Sequence, residues 1–330
     1  MRWGILGAGG IAGAFAEAVT SATASAVVAV GSRSADKARA FADAHLGADA
    51  AAAHVHGSYE DLVADPDVDV VYVATPHSHH REHALLAIAA GKHVLVEKAF
   101  TRNAAEAEEV FAAARAAGVF VMEAMWTRFL PHVAAIHAAI DAGEIGEIIS
   151  LAADHGQLFD VDDTHRLVNP DLAGGALLDL GVYPVSFAHD ILGVPETITA
   201  VGTLTETGVD GQVSMIFDYP GRTQAVLSTT LWAATPTTAT ITGTTGRIEI
   251  DGAFYTPTSF RVVRHDGSVR EVARPDVVGL AFEAAEVARR VHAGDTQSER
   301  MSWQGTLDVL ASLDEIRAQV GVVFPGEGAA

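Results

Sequence analysis

The chain has 330 residues, 49% hydrophobic and 19% charged, enough for two domains with sizeable cores and too apolar for a disordered protein. Its 42 acidic against 21 basic residues give a formal net charge of −21; that balance argues against nucleic acid and anionic membranes and leaves a small molecule as the expected partner. Cysteine is absent, which excludes disulfides and thiolate chemistry. No apolar run reaches the ~18 residues of a membrane helix, and the N-terminus enters a strand at once without a leader pattern, so a cytoplasmic location is expected.

In chain order, "RWGILGAG" reads as a strand and turn, "GIAGAFAEAVTS" as a helix, "AVVAVGSRS" as a second strand and "DKARAFADAH" as a helix. The Ala-rich "GADAAAAH" is expected to be a loop. A third strand spans Val68 to Thr75, followed by a helix in "REHALLAIAAGK", a fourth strand "HVLVE", a helix ending at Gly118 and a fifth strand "VFVMEA". Strands that are apolar almost throughout, alternating with helices, predict a doubly wound parallel sheet covered on both faces, a Rossmann domain over residues 1–123.

After Trp126 the pattern changes. One helix around "PHVAAIHAAIDAG" leads into strands with a two-residue alternation. In "QVSMIFDYPGRTQAVLSTTLW", Val213, Met215, Phe217 and Tyr219 share one face and Ser214, Ile216 and Asp218 the other. "TATITGTTGRIEIDG" adds two short strands, and helices near Phe282–His292 and Ser302–Val320 close the chain. Residues 124–330 are thus expected to form an α+β domain on a large, mostly antiparallel open sheet, for substrate binding and dimerisation. Its helices cover only one face, and the other is a natural surface for a homodimer.

Five places carry chemistry. Gly7-x-Gly9-x-x-Ala12, with Gly10 and Ile11 inside it, lies between a strand and a helix, where a backbone turn and free N–H groups suit a pyrophosphate. At the end of the second strand, where an NAD-binding protein usually has a carboxylate for the ribose, the chain reads Gly31-Ser32-Arg33-Ser34. An arginine beside hydroxyls suits a 2′-phosphate, so NADP is favoured, with NAD possible. In "PHSHHREH", His79 and His83 have the spacing of helical zinc ligands, but without H-E-x-x-H or cysteine the cluster is read as a loop along the cofactor, and no metal site is expected. Glu97 and Lys98 follow the fourth strand at the carboxyl edge where such sheets bind ligands, and Asp179 and Tyr183 lie one helical turn apart. Each pair also has a purely structural reading, as a strand-end ion pair or as a helix acid beside a core tyrosine.

Together "GAGGIA", "TPHSHH", "GKHVLVEKA" and "DLGVY" resemble the glucose–fructose oxidoreductase / inositol dehydrogenase / MocA family. "MEAMWTRFLP", "GGALLDLGVYPV", "TETGVDG" and "GVVFPGE" resemble its dimeric dihydrodiol dehydrogenase and NADP-dependent D-xylose dehydrogenase branch. The resemblance implies that Lys98 lies beside the nicotinamide, with Asp179 and Tyr183 across the cleft. It implies cofactor contacts from Ala74, Thr75, Pro76, His80 and Glu97. It also brings Trp126, Arg128 and Arg166 near the cofactor or active site and His155 near the substrate. The family's proline after the lysine is Ala99 here, so the Lys98–Ala99 bond is expected to be trans.

The implied reaction moves a hydride between the nicotinamide and a CH–OH group of a sugar, polyol or cyclic trans-diol. Tyr183 as the base must gain about three pK units, roughly 4 kcal/mol, which a nearby ammonium supplies in part. Lys98 as proton carrier is the rival assignment. The alternative functions are a non-catalytic NADP-binding sensor, which calls for a broken catalytic set, and a glycoside hydrolase that retains its cofactor.

Overall fold

The computed structural model describes residues 1–327. Its N-terminal part runs β1 (Arg2–Leu6), α1 (Gly10–Ala22), β2 (Ala26–Gly31), α2 (Ala35–His45), β3 (His54–His56), α3 (Tyr59–Ala64), β4 (Val70–Val73), α4 (His80–Ala89), β5 (His93–Glu97), α5 (Ala104–Ala117) and β6 (Val121–Ala124). The six strands are parallel, in the order β3-β2-β1-β4-β5-β6. This order reverses beside β1, the switch point at which a doubly wound sheet opens a crevice. The apolar runs behave as their composition demands, for Val70 to Val73 and Val94 to Val96 have no exposed surface. Helix ends follow local chemistry: the Ser34 hydroxyl accepts from the Lys37 N–H, the Asn103 side chain from Glu106, and α5 stops at Gly118 in the left-handed region.

β3 and α3 lie beyond the Ala-rich loop, in a stretch to which the sequence assigns no element. A three-residue strand reading His-Val-His holds one apolar side chain, too few for a period to show; its pairing with β2 makes it a strand.

The following part comprises α6 (Pro131–Asp141), β7 (Ile148–Gly156), α7 (Val182–Leu192), β8 (Thr197–Leu204), β9 (Asp210–Asp218), β10 (Gln224–Thr230), β11 (Ala239–Gly243), β12 (Gly246–Ile250), β13 (Phe260–Arg264) and β14 (Val269–Val272). Its eight strands order as β14-β13-β12-β11-β7-β10-β9-β8, antiparallel except for β7 beside β10. The predicted alternation holds. Val213, Met215, Phe217 and Tyr219 are buried, and α7 packs against β7 and β10. On the opposite face Val201, Ile216 and Val226 are exposed, the last two directly paired across β9 and β10.

The last helices are α8 (Leu280–Ala293) and α9 (Trp303–Val320). The chain divides into one unit of Met1–Trp126 with Val278–Leu307 and a second of Thr127–Val277 with the chain from Asp308 onward. The sequence reading kept everything after residue 123 in one domain, but α8 belongs spatially with the parallel sheet, where it packs on α1. Periodicity shows which face of α8 is apolar (Ala281, Ala284 and Val287 are buried) and not which element covers it.

Candidate active site

The glycine turn has the features a pyrophosphate needs. Gly7 has φ +106°, and a Cβ there would come 2.8 Å from the Ala74 carbonyl oxygen. Beside Gly9 and Gly10 a Cβ would meet nothing within 4 Å, so the approach is open. α1 begins at Gly10 with no side-chain cap and no acidic residue in its first turn, and Ile11 is exposed while Ala12 is buried. Its first N–H groups are left to an anion. At the end of β2, the Ser32 N–H donates to the His56 carbonyl, Arg33 is exposed, and its charge acts on Tyr59. These residues fit a bound dinucleotide.

Beyond β4, the Ala74 N–H donates to Leu6, Thr75 Oγ1 lies 3.0 Å from His83 Nδ1, and Pro76 is exposed. His80 is buried, with Nε2 2.7 Å from the Thr75 carbonyl and Nδ1 2.9 Å from that of Ala99. Two acceptors favour the imidazolium, yet burial, aided by His77, pushes its pKa down to about 3. Burial prevails because no carboxylate offsets the desolvation, so His80 is neutral and one N–H serves only one of the carbonyls. His80 thereby ties the loop after β4 to the segment that carries Lys98. The Lys98–Ala99 peptide bond is cis, where the sequence reading expected trans. Its surroundings hold the carbonyls on both sides, Lys98's by His77 Nε2 at 3.3 Å and Ala99's by His80, and Ala99 itself is fully buried.

Glu97 accepts a short hydrogen bond from the Tyr72 hydroxyl and a second, at 3.2 Å, from the Lys98 N–H. Sequence reasoning missed its neighbour Glu283 on α8. That side chain is fully buried with neither oxygen hydrogen-bonded, and burial, reinforced by the charge on Glu97, holds its pKa well above the usual range. Glu283 is therefore held as a neutral acid.

In the second unit, Asp179 lies in a π-helical turn, Leu177–Gly181, that runs into α7, and Tyr183 is the second residue of that helix. Asp179 Oδ1 accepts from Arg166 Nη1 at 2.9 Å. Asp179 and Tyr183 are each 8% exposed, whereas the Arg166 side chain is 52% exposed. Tyr183 stacks on Tyr255 with ring centroids 4.3 Å apart, and His155 sits 4.5 Å from Tyr255 and 5.4 Å from Tyr183. His155 Nδ1 lies 3.2 Å from the Leu180 carbonyl and Nε2 3.0 Å from the Gln157 amide nitrogen. The Tyr255 hydroxyl hydrogen-bonds Gln157, and its pKa is raised by burial and by Asp179. Tyr255 and Gln157 escaped sequence reasoning: Tyr255 sits in a loop after β12 with no spacing to relate it to Tyr183.

Two further residues are differently engaged. Trp126 is half-buried at the end of the first unit. Arg128 directs Nε and Nη2 to the hydroxyl and carbonyl of Ser186, both at 3.2 Å, with Asp190 3.8 Å away, and so anchors to α7.

Residues 1–125 match the family model described as "Oxidoreductase family, NAD-binding Rossmann fold", and residues 133–249 match the "GFO/IDH/MocA C-terminal domain". The D-xylose 1-dehydrogenase (NADP(+)) of Hypocrea jecorina is 37% identical over 98% of this chain and 93% of its own length. The trans-1,2-dihydrobenzene-1,2-diol dehydrogenase of Xenopus tropicalis is 38% identical over 98% and 99%. This chain belongs to the GFO/IDH/MocA oxidoreductase family. It is an NAD(P)-dependent oxidoreductase. Among solved structures, the 3-ketoreductase KijD10 of Actinomadura kijaniata, in complex with NADP and TDP-benzene, superposes with a TM-score of 0.86 at 29% identity, covering 97% of this chain and 98% of that one. The aldose-aldose oxidoreductase of Caulobacter crescentus shares the fold, with a TM-score of 0.86 at 22% identity over 97% of each chain. No helix among the described residues is long and apolar enough to cross a membrane.

Proposed function

We propose that this GFO/IDH/MocA member is an NADP-dependent dehydrogenase of a sugar, polyol or cyclic trans-diol. In this reading the parallel-sheet unit holds the dinucleotide and the second unit the substrate. The observation that carries it is the cluster of Asp179, Tyr183, His155 and Tyr255. A carboxylate and two phenols, backed by an imidazole, form a small aromatic wall with polar groups, the usual means of holding a ring that bears several hydroxyls. The choice of NADP rests on Arg33, exposed at the end of β2 beside Ser32, with no carboxylate at that position. The name of the fungal relative, an NADP(+) enzyme acting on D-xylose, and that of the dihydrodiol dehydrogenase support the substrate class.

The bound nicotinamide would supply the hydride acceptor. The protein's own residues then do the rest. Lys98 polarises the substrate oxygen, Tyr183 takes the hydroxyl proton, and Asp179, itself held by Arg166, orients the hydroxyl. The Gly7–Ala12 turn binds the pyrophosphate, and Ala74, Thr75 and Pro76 line the cofactor beyond β4. His80 and Glu97 fix the backbone around Lys98. Trp126 and His155 shape the substrate side, and Arg128 and Arg166 position it.

The test is net reduction of NADP⁺ or NAD⁺, read by near-ultraviolet absorbance, against aldoses, inositols and cyclic diols. Many turnovers with NADP⁺ and one of these classes are expected. No net reduction while NADP⁺ binds would favour a sensor or a retained cofactor and overturn the reading. The same proposal includes a homodimer through the open sheet face, supported by Val201, Ile216 and Val226, which lie exposed there. Light scattering at micromolar concentration should give twice the chain mass of 34.4 kDa, and Val226→Asp should halve it; a monomeric wild-type chain would refute the dimer.

A further inference from the structure

Away from the residues assigned to hydride transfer, one group of metal-binding side chains converges at the open edge of the parallel sheet. β3 is the edge strand, and its two histidines, His54 and His56, are two residues apart and so project from the same side. Asp65 follows the last residue of α3 as its C-cap. His54 Nδ1 lies 2.7 Å and His56 Nε2 2.9 Å from one and the same oxygen, Asp65 Oδ2. The carboxylate is locked in place. Its side chain is 2% exposed and Oδ1 accepts the Asp67 N–H at 2.9 Å, while Lys92 Nζ holds the Asp65 backbone carbonyl at 2.7 Å. The two imidazoles are the more exposed partners, with side chains 49% and 20% exposed.

We propose that His54, His56 and Asp65 form a binding site for a divalent transition metal such as Zn²⁺. Two imidazoles and a carboxylate, with a fourth position open to solvent, are a recurrent zinc donor set, and the imidazoles disfavour Mg²⁺ and Ca²⁺. The donor atoms all lie within 4.8 Å of one another. Metal–ligand bonds near 2.0–2.1 Å in a tetrahedron separate the donors by about 3.3 Å, so each imidazole must withdraw by roughly half an ångström from its present contact. Rotation of two partly exposed side chains achieves this while the buried carboxylate stays fixed. The donors line an open cavity of about 380 Å³ rimmed by Asp61 and Asp67, so solvent and an incoming ion reach them. The local charge suits a cation. Asp61, Asp65, Asp67 and Asp69 stand close together in the chain, Arg2 pairs with Asp67 and Asp69, the N-terminal ammonium acts on Asp69, and Lys92 is held by the backbone carbonyls of Asp65 and Val68. A bound ion would fasten the three-residue edge strand to the connection between α3 and β4. The sequence reading weighed a metal only at His79 and His83 and passed over His-Val-His, because its third donor lies nine residues beyond His56 and is brought close only by α3.

The site is independent of the hydride chemistry and is tested on the full chain after treatment with a chelator. Calorimetric titration with Zn²⁺, and with Co²⁺ followed by its visible absorbance, should give one saturable site per chain that excess Mg²⁺ does not displace. His54→Ala, at an exposed position that leaves folding intact, should weaken it at least tenfold, and His56→Ala further. Saturating Zn²⁺ should raise the melting temperature of the wild-type chain and not that of the double variant. Absence of saturable binding at 100-fold excess Zn²⁺, or binding of equal strength in the double variant, would overturn the proposal.

Discussion

The two units arrange buried charge in opposite ways. In the parallel-sheet unit, β4 and β5 are buried and largely apolar, and Glu97 closes β5 at its carboxyl end. Glu97 meets Tyr72 there, and Glu283, without a partner, stays neutral. In the second unit the strands alternate, and all but one of the candidate site residues come from outside the regular ladder: Asp179 from a π turn, Tyr183 from the start of a helix, Tyr255 from a loop, with only His155 from a strand, β7. A sheet covered on both faces can offer a ligand only its edge, so its chemistry is set by topology. A sheet covered on one face leaves the choice to its connections, where relatives of one fold can differ in substrate.

Substitutions can sharpen this contrast. In the first unit the largest effect is expected at the strand end. Lys98→Met should lower turnover by about 10²–10³-fold, with NADP affinity within a few-fold of wild type, as for loss of a group that stabilises developing charge. Unchanged turnover would remove the first unit from the chemistry.

Acid should expose how each unit keeps a histidine neutral. Burial lowers His189 in the second unit to about 4, aided by Arg128, and His80 in the first to about 3. The unfolded chain takes up these protons near pH 6.5, whereas the folded chain resists them until about pH 4 or 3. The contribution of these two histidines to stability is therefore complete above pH 6.5 and falls as the pH drops from there, by about 3 kcal/mol for His189 alone, while the buried acids Glu283 and Asp210, held above the usual carboxylate range, act in the opposite sense. Urea midpoints at pH 7.5 and 4.5 measure the slope, and His189→Gln should flatten it.

Arg33→Ala should weaken NADP binding about 10–100-fold, the value of one or two hydrogen bonds to a charged group, and leave NAD binding within twofold. Equal losses for both would mean that Arg33 does not read the 2′-phosphate. The smallest effect is expected at Gly7→Ala, where φ +106° and the close Ala74 carbonyl should cost about 1–2 kcal/mol of stability, read as a lower melting temperature.

The same contrast explains what was legible in the sequence. The glycine turn, the five longer strands of the first sheet and the inward face of β9 are local patterns, and each stands where its spacing predicts. The edge strand at His54–His56 is too short to show a period. α8 joins the parallel sheet across an interval of some 150 residues after β6, and no local rule predicts that return. Ala99 follows a cis bond although it is not proline, in a segment held by His77 and His80. The pairing of Asp179 with Arg166, and of Tyr183 with Tyr255 and His155, required the folded loops, because burial and contact decide it rather than spacing.

The most direct test of the account is turnover by Tyr183→Phe, measured with NADP⁺ and the best substrate of the panel. Phenylalanine keeps the stacking on Tyr255 and removes only the hydroxyl, so folding and cofactor affinity should be preserved. The account predicts a fall in kcat of about 10²–10⁴-fold, the range for loss of a general base. Turnover near that of wild type would contradict it and transfer the proton to Lys98.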